Sequence, residues 1–573
     1  MANRIASEIN DEYGTQININ KAGFSINGDI DLNNFLIKDH KSDTLIFFKN
    51  LYLSPVNLGK LISNDLNFSS ISFNTLELKI SNYLGDESNS LEVFINNISK
   101  QNNSKFNNVK KLSFTSKLTG ENSKIQFIDQ QNPSNNFKLT DINFLMRDFS
   151  LENSNFDFKI ENFSSVFDNK IFVENFESNF YKRDSIINFN NTKIKFGSSE
   201  IIGNFNLDYS EILSSNFSSS NFVDFLKIDF NIINSNLIST DLGNIFPTFK
   251  TSYDATWLVD ANINGYINDL NIDKLSLENK KNKINIKSNL KNILNENYSL
   301  DFNLLDFDVD SEEINIAFPK FFGTILPSSL KSFGRFNING LIDITQNDIK
   351  SKLNLNTNEG LIKANLSIYD FSNIDNASYE GKIIGVDLDL SRFLNSKEIN
   401  DSNFEFNIKG KGFTRELLNS SIYGSITNLN IYDYDLKNID LSGVVKDQIF
   451  DGKSSISDEN VSLDFNGLID FSEDLVDFDF NLDLLNTNLS IFNKKSDASL
   501  SANINVKLRG SDVENVIGDL SIYDLKYFNN NVTHSFDDFQ AQLRYNDDIR
   551  ILNLSSQDAI SGVIIGEYDV FNI

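Results

Sequence analysis

Cysteine is absent from the 573 residues, so disulfides and thiolate metal sites are excluded, as fits an exported bacterial protein. Only two histidines occur, His40 and His534, both in polar, turn-like contexts. That removes an HExxH zinc site, and no Gly-x-Ser-x-Gly elbow exists for a nucleophilic serine. Five prolines and no Gly/Ser-rich or Pro-rich tract leave nothing that reads as a domain linker. No stretch approaches the ~18–20 apolar residues that cross a bilayer. The first ten residues lack the apolar core of a signal peptide; Ala2, Ile5, Ala6 and Ile9 instead share one face of a short helix. The last residues, Tyr568 to Ile573, fall inside an apparent strand, and both ends are expected to be cut from something longer.

Positive charge is also scarce. The 51 basic residues face 79 acidic ones, a net charge of −28 that repels phosphate backbones and anionic lipid surfaces, so nucleic acid is excluded as a partner. The acids do not form blocks but alternate with apolar residues, which assigns them to a solvated outer face.

What the chain has in quantity is phenylalanine, 51 of them with 17 Tyr and a single Trp, Trp257. These residues recur with a period of two. In Phe478-Asp479-Phe480-Asn481-Leu482-Asp483-Leu484 every second side chain is large and apolar, the period of a strand with one dry and one wet face. Leu300 to Leu304, Val386 to Leu390 and Val461 to Phe465 repeat the pattern. The expected fold class is all-β: an elongated, repetitive antiparallel sheet curled into an open apolar groove, with few short helices. Helix is expected at the N-terminus, at Phe222 to Leu226, near Phe321 to Leu330 and near Arg415 to Ser420.

A longer repeat overlies the short one. Segments ending at Phe246, Phe318, Phe393 and Phe492 are spaced by 72, 75 and 99 residues, and each is followed after 17 to 22 residues by Gly265, Gly340, Gly410 or Gly510. Residues 1–195 read as a less regular β region. Residues 196–573 read as units of about 75 residues with six strands each, the last interval holding an extra hairpin pair. At ~12 residues per strand and turn and ~4.8 Å between strands, such a ladder is a rod on the order of 200 Å long.

Sites of other kinds fail on inspection. Asp306-Phe307-Asp308-Val309-Asp310 begins like a calcium loop, but Ser311 replaces the turn glycine and Ala317 the bidentate Glu, so it reads as a strand with its carboxylates on the wet face. Gly410-Lys411-Gly412-Phe413 is too short for a phosphate cradle. Asn-x-Ser/Thr sequons such as Asn67-Phe68-Ser69 are numerous by chance in an Asn-rich chain. No catalytic, cofactor-binding or metal-ligating set emerges. Composition and period leave the dry face open between an ordinary two-sheet core and a groove for acyl chains.

The run Gly28 to Phe48, opening Gly28-Asp29-Ile30-Asp31-Leu32-Asn33-Asn34-Phe35, resembles the start of the periplasmic part of TamB proteins of the AsmA-like superfamily, in its Bacteroidetes version. Thr192 to Gly203, Ile238 to Pro247 and Ser454 to Val461 resemble further elements of that family. The resemblance implies a periplasmic location with an inner-membrane anchor in the full-length protein, an apolar groove carrying phospholipid between the two membranes, a role in outer-membrane biogenesis, and an outer-membrane barrel partner of the TamA/BamA class. The chain shows neither a membrane helix nor a recognisable C-terminal family domain. Under this reading the alternation places Phe302, Leu304, Leu388, Leu390, Leu463, Phe465, Phe478, Phe480 and Leu482 along the groove, in contact with acyl chains and with no chemistry to perform. The competing expectation is an elongated structural or adhesive surface protein with a closed core. A carbohydrate-active site would need clustered carboxylates on a Trp/Tyr surface, which one Trp does not supply.

Overall fold

The computed structural model describes residues 10–11, 15–26, 28–57, 68–86, 88–102, 112–114, 117–152, 155–168, 171–214, 222–246, 250–251, 253–317, 334–373, 377–391, 399–413, 417–473, 475–489, 498–510, 516–529, 532–546, 549–558 and 561–566. The period-two pattern selects strand, and the described residues are mostly that, paired into open sheet. Two compact units divide the chain, one of residues 1–293 and 309–334, the other of residues 294–308 and 335–573.

The first unit begins as an antiparallel meander of Gln16–Phe24, Ile30–Lys38, Thr44–Pro55 and Phe68–Asn82. The chain then leaves the sheet through helix Ser90–Asn102 and returns as Lys117–Asp129, which pairs parallel with Phe68–Asn82. A same-direction neighbour requires a crossover, and this helix lies within it. This pairing departs from a sheet that is otherwise antiparallel with few short helices, as the sequence predicts. The helix start is an Asn-x-x-Glu capping box: Asn89 Oδ1 accepts the Leu91 and Glu92 amides at 3.1 and 3.0 Å, and Glu92 Oε2 accepts the Asn89 amide at 3.2 Å. From Phe137–Glu152 to Lys283–Lys291 the main strands again pair antiparallel.

The second unit runs antiparallel from Arg335–Thr345 to Gly562–Gly566. Tight turns fix its register. Tyr432 and Asp433 (φ 50° and 62°) and Asp447 and Gln448 (φ 52° and 64°) each form a two-residue turn with both residues left-handed, the type whose twist matches that of the strands.

The helix at Phe222–Phe225 lies where the sequence places it. Helices Ser239–Ile245 and Ser311–Ala317 occupy the segments that close the first two sequence units. Between them lie four strands, not six, because the strands average longer than the sequence estimate allowed. Four strands likewise run from Arg335–Thr345 to Ser378–Asp389, and six from Ile399–Lys411 to Val476–Asn488, so the 99-residue interval does hold one additional pair. Phe318, Phe393, Phe492, the N-terminal helix and the helix near Phe321 to Leu330 lie outside the described residues. Near Arg415 to Ser420 the described Asn419 and Ser420 open a strand, Asn419–Ile431, instead of a helix. His534 is also in a strand, Val532–Ser535, while His40 sits in a turn, its Nε2 2.7 Å from Asp86.

Full burial is concentrated at one end of the strands. In the first unit this rim holds Trp257, 1 % exposed, whose Nε1 donates to Ser239 Oγ at 3.1 Å. Ile284 and Phe196 are buried at the same end of their own strands. Asp241 of the adjoining helix accepts the Ser198 amide (2.9 Å) and the Ser199 hydroxyl (2.7 Å), tying the helix to the turn that follows Phe196. In the second unit the same end carries Phe336, Leu388 and a cluster of Leu436, Ile439 and Val461. Truncating the buried indole by Trp257→Ala is expected to cost about 3–5 kcal/mol, read as a lowered urea midpoint by circular dichroism.

Candidate functional site

Antiparallel pairing without slippage turns a sequence alternation into rows. In the second unit Gly340, Leu353, Ala364, Ile383, Phe406, Gly424, Leu441, Ser454, Phe465, Leu482, Ile504, Ile522 and Phe539 stand opposite one another across successive strands. Phe480 belongs to the next row, between Gly467 and Val506, and Phe478 to the one after, between Ile469 and Leu508. The intervening residues form the other face, where Asn354 donates to Asn339 (2.9 Å), Asn505 to Asn481 (2.7 Å) and Lys409 to Glu380 (3.0 Å).

Exposure separates this apolar face from a core. Its Phe, Leu and Ile side chains are half-buried; only Val506 and Ala541 in the three rows are fully buried, each 7 % exposed. A face covered by a second sheet would drive these residues to the near-zero exposure that Trp257 and Phe336 reach at the rim. Aromatic rings spread over bare backbone: a Cβ on Gly385 would lie 2.3 Å from the Phe404 ring, so only glycine fits beneath it.

The residues singled out from sequence fall into three groups. Phe465 and Leu482 are directly opposite, Phe480 packs its ring 5.1 Å from that of Phe465, and Phe478 continues the face. Leu463 stands opposite Leu484 at the margin, packed against the Leu436 cluster. Leu388 is 3 % exposed and belongs to the rim core; a register shift between Gly385 and Leu388 puts Val386 on the opposite side from it, which corrects the uninterrupted alternation read over Val386 to Leu390. Leu390 is half-buried just beyond that strand. Phe302 and Leu304 are half-buried, but so are Asp301 and Asn303, and no contrast between faces exists there.

Sequence reasoning missed an equivalent row in the first unit. Phe158, Phe180, Phe189, Phe205 and Phe230 stand opposite one another across five adjacent strands and lead to Ile263 and Ile272. Ring centroids are 4.4 Å apart for Phe158 and Phe180, 5.1 Å for Phe180 and Phe189, and 5.3 Å for Phe205 and Phe230. All five rings are half-buried. The signal was present as Phe at alternate positions, but register alone aligns the strands.

No titratable group interrupts the rows of the second unit around Phe465 and Phe480 apart from Tyr379. Charges sit on the opposite face, where Glu380 is held below the usual carboxylate range by its hydrogen bond from Lys409 and a second from Tyr369. Asp519 is lowered by Gln542 and then Arg544. A cleft of ≈ 390 Å³ is lined by Asp440, Ser442, Lys453 and Asp464 of the polar face, with Leu441, Ser454 and Phe465 beside them. Its lining includes no His or Tyr. Among the described residues no three His, Cys, Asp or Glu side chains converge to hold a metal, and no helix is long and apolar enough to cross a membrane. Compared with protein-family models, curated proteins and solved structures, the chain matches none.

Two outcomes follow from half-burial. Phe480→Asp is expected to keep the strand signal in circular dichroism, because the carboxylate can reach water, whereas Phe336→Asp at the rim buries an unpaired charge and unfolds its neighbourhood. Lowered carboxylates such as Glu380 and Asp519 add stability above the unfolded carboxylate range and lose it as pH falls through their folded values. The melting temperature is therefore expected to drop below about pH 4, in a thermal scan from pH 7 to pH 3.

Proposed function

We infer that this chain is a segment of a periplasmic bridge that carries phospholipid between inner and outer membranes and so supports outer-membrane biogenesis, its apolar rows serving as a groove for acyl chains. The observation that carries this reading is the combination of continuity and half-burial: rows of Phe, Leu and Ile that run from strand to strand yet are not sealed as a core. The sequence resemblance to TamB proteins supplies the location and the barrel partner of the TamA/BamA class, both of which are proposals for this chain.

The energetics favour such a face. A two-chain lipid has about 30 methylene or methyl groups, and at ~0.8 kcal/mol each their exposure to water costs on the order of 25 kcal/mol. A continuous apolar row removes most of that cost at every position along it. The acidic opposite face, with a net charge of −28 on the chain, keeps the protein dispersed while the apolar one is occupied. No residue needs to form or break a bond in this scheme.

Purified protein is expected to carry phospholipid in native mass spectrometry, and Phe480→Asp with Phe465→Asp to lower the load severalfold while remaining folded. Retention should be flat from pH 5 to 9, since no group with an ordinary pKa in that interval lines the rows. Protein free of lipid, or a double variant that transfers lipid like the wild type, would sink the reading.

A further inference from the structure

Several strands contain a non-glycine residue in the left-handed region, and four of these residues share one setting: Asn122 (φ 50°), Asn191 (φ 50°) and Asn234 (φ 47°) in the first unit, and Asp387 (φ 46°) in the second. Each lies in a register shift, between Gly120 and Ser123, Phe189 and Thr192, Ile232 and Ser235, and Gly385 and Leu388. Each donates its backbone amide to a side-chain oxygen on a neighbouring strand: Asn143 at 3.0 Å, Asn204 at 2.8 Å, Asp260 at 2.8 Å and Asn403 at 2.9 Å. Each is followed by a buried residue, Ser123, Thr192, Ser235 or Leu388, exposed by 3 % or less. One device is thus used four times.

Its physical content is a bend. A bulge sets two residues against one, leaves an amide without a ladder partner and bends the strand; here the second of the two residues is left-handed. Asn and Asp tolerate that conformation better than other side chains except glycine. The side-chain oxygen from the next strand takes up the amide that the bulge releases. On one side of the device the rows are half-buried; on the other lies the closed rim with Trp257 in the first unit and Leu388 in the second. In the second unit further shifts at Ser462/Leu463, Leu484/Thr487 and Ser501/Asn503 fall on the rim side of the row that contains Phe465.

We propose that these bulges form a crease that curves the apolar face, and that Asn191, Asn234 and Asp387, with their acceptors Asn204, Asp260 and Asn403, are positioning residues that set how deeply the face holds an acyl chain. The ligand part rests on the lipid-carrying reading above; the curvature does not.

The absence of cysteine makes the test direct. Asp401→Cys and Lys409→Cys, both exposed on strand Ile399–Lys411, give two spin-label sites on the full chain. Label-to-label distance is measured by pulsed electron paramagnetic resonance. Lipid load is read by native mass spectrometry after incubation with vesicles of phosphatidylethanolamine and phosphatidylglycerol. Asp387→Gly, which accepts a positive φ, should keep the wild-type distance and load. Asp387→Val, which does not, should lengthen the distance toward the ~27 Å of eight flat strand residues and lower the load at least threefold. Asn403→Ala should act in the same direction by removing the acceptor. An unchanged distance in Asp387→Val, or a lengthened distance with a wild-type load, overturns the proposal. Wild-type protein that takes up no lipid counts against the acyl-chain reading instead, and the crease is then judged on the distance alone.

Discussion

Everything in this molecule depends on the backbone ladder keeping register from one strand to the next. A one-residue slip would move every apolar side chain of a strand to the other face, so the pairing of Phe465 with Leu482, and of Leu482 with Ile504, is what makes a surface out of a sequence pattern. Two-residue turns such as Tyr432-Asp433 leave no slack in which a slip could occur. The apolar face and the charged face are therefore consequences of one constraint.

The ladder is broken in a regular way. Where Asn234 or Asp387 turns left-handed, the strand bends, and the buried residues lie beyond the bend. Stability and exposure are thereby divided between two parts of the same strands. The rim, with Trp257, Phe336 and the Leu436 cluster, holds fully buried side chains, while the rows around Phe205 and Phe480 stay half-buried.

Much of this was legible in the residues. The period of two gave strands, and the Phe and Gly spacings marked the unit boundaries and the extra pair in the longest interval, but not that helices Ser239–Ile245 and Ser311–Ala317 lie at two of those boundaries. The capping box at Asn89 to Glu92 was equally legible and went unread, because alternation in the flanking residues masked a 13-residue helix. The parallel pairing of Phe68–Asn82 with Lys117–Asp129 left no local trace, since direction is set by the connection and not by the strand's own pattern. Leu388 shows the limit most clearly: its alternation with Asp387 and Asp389 is that of Phe480, yet a single bulge transfers it from the face to the core.

The sequence by itself determined that the chain forms strands with one dry and one acidic face, and that it has no cysteine chemistry, because those follow from composition and a local period. Only the tertiary structure decided which dry residues are neighbours, which are sealed and which stay half-open. Rows are made by hydrogen bonds between strands far apart in sequence, and burial by bends whose Asn and Asp residues look, in one dimension, like every other polar residue of the wet face.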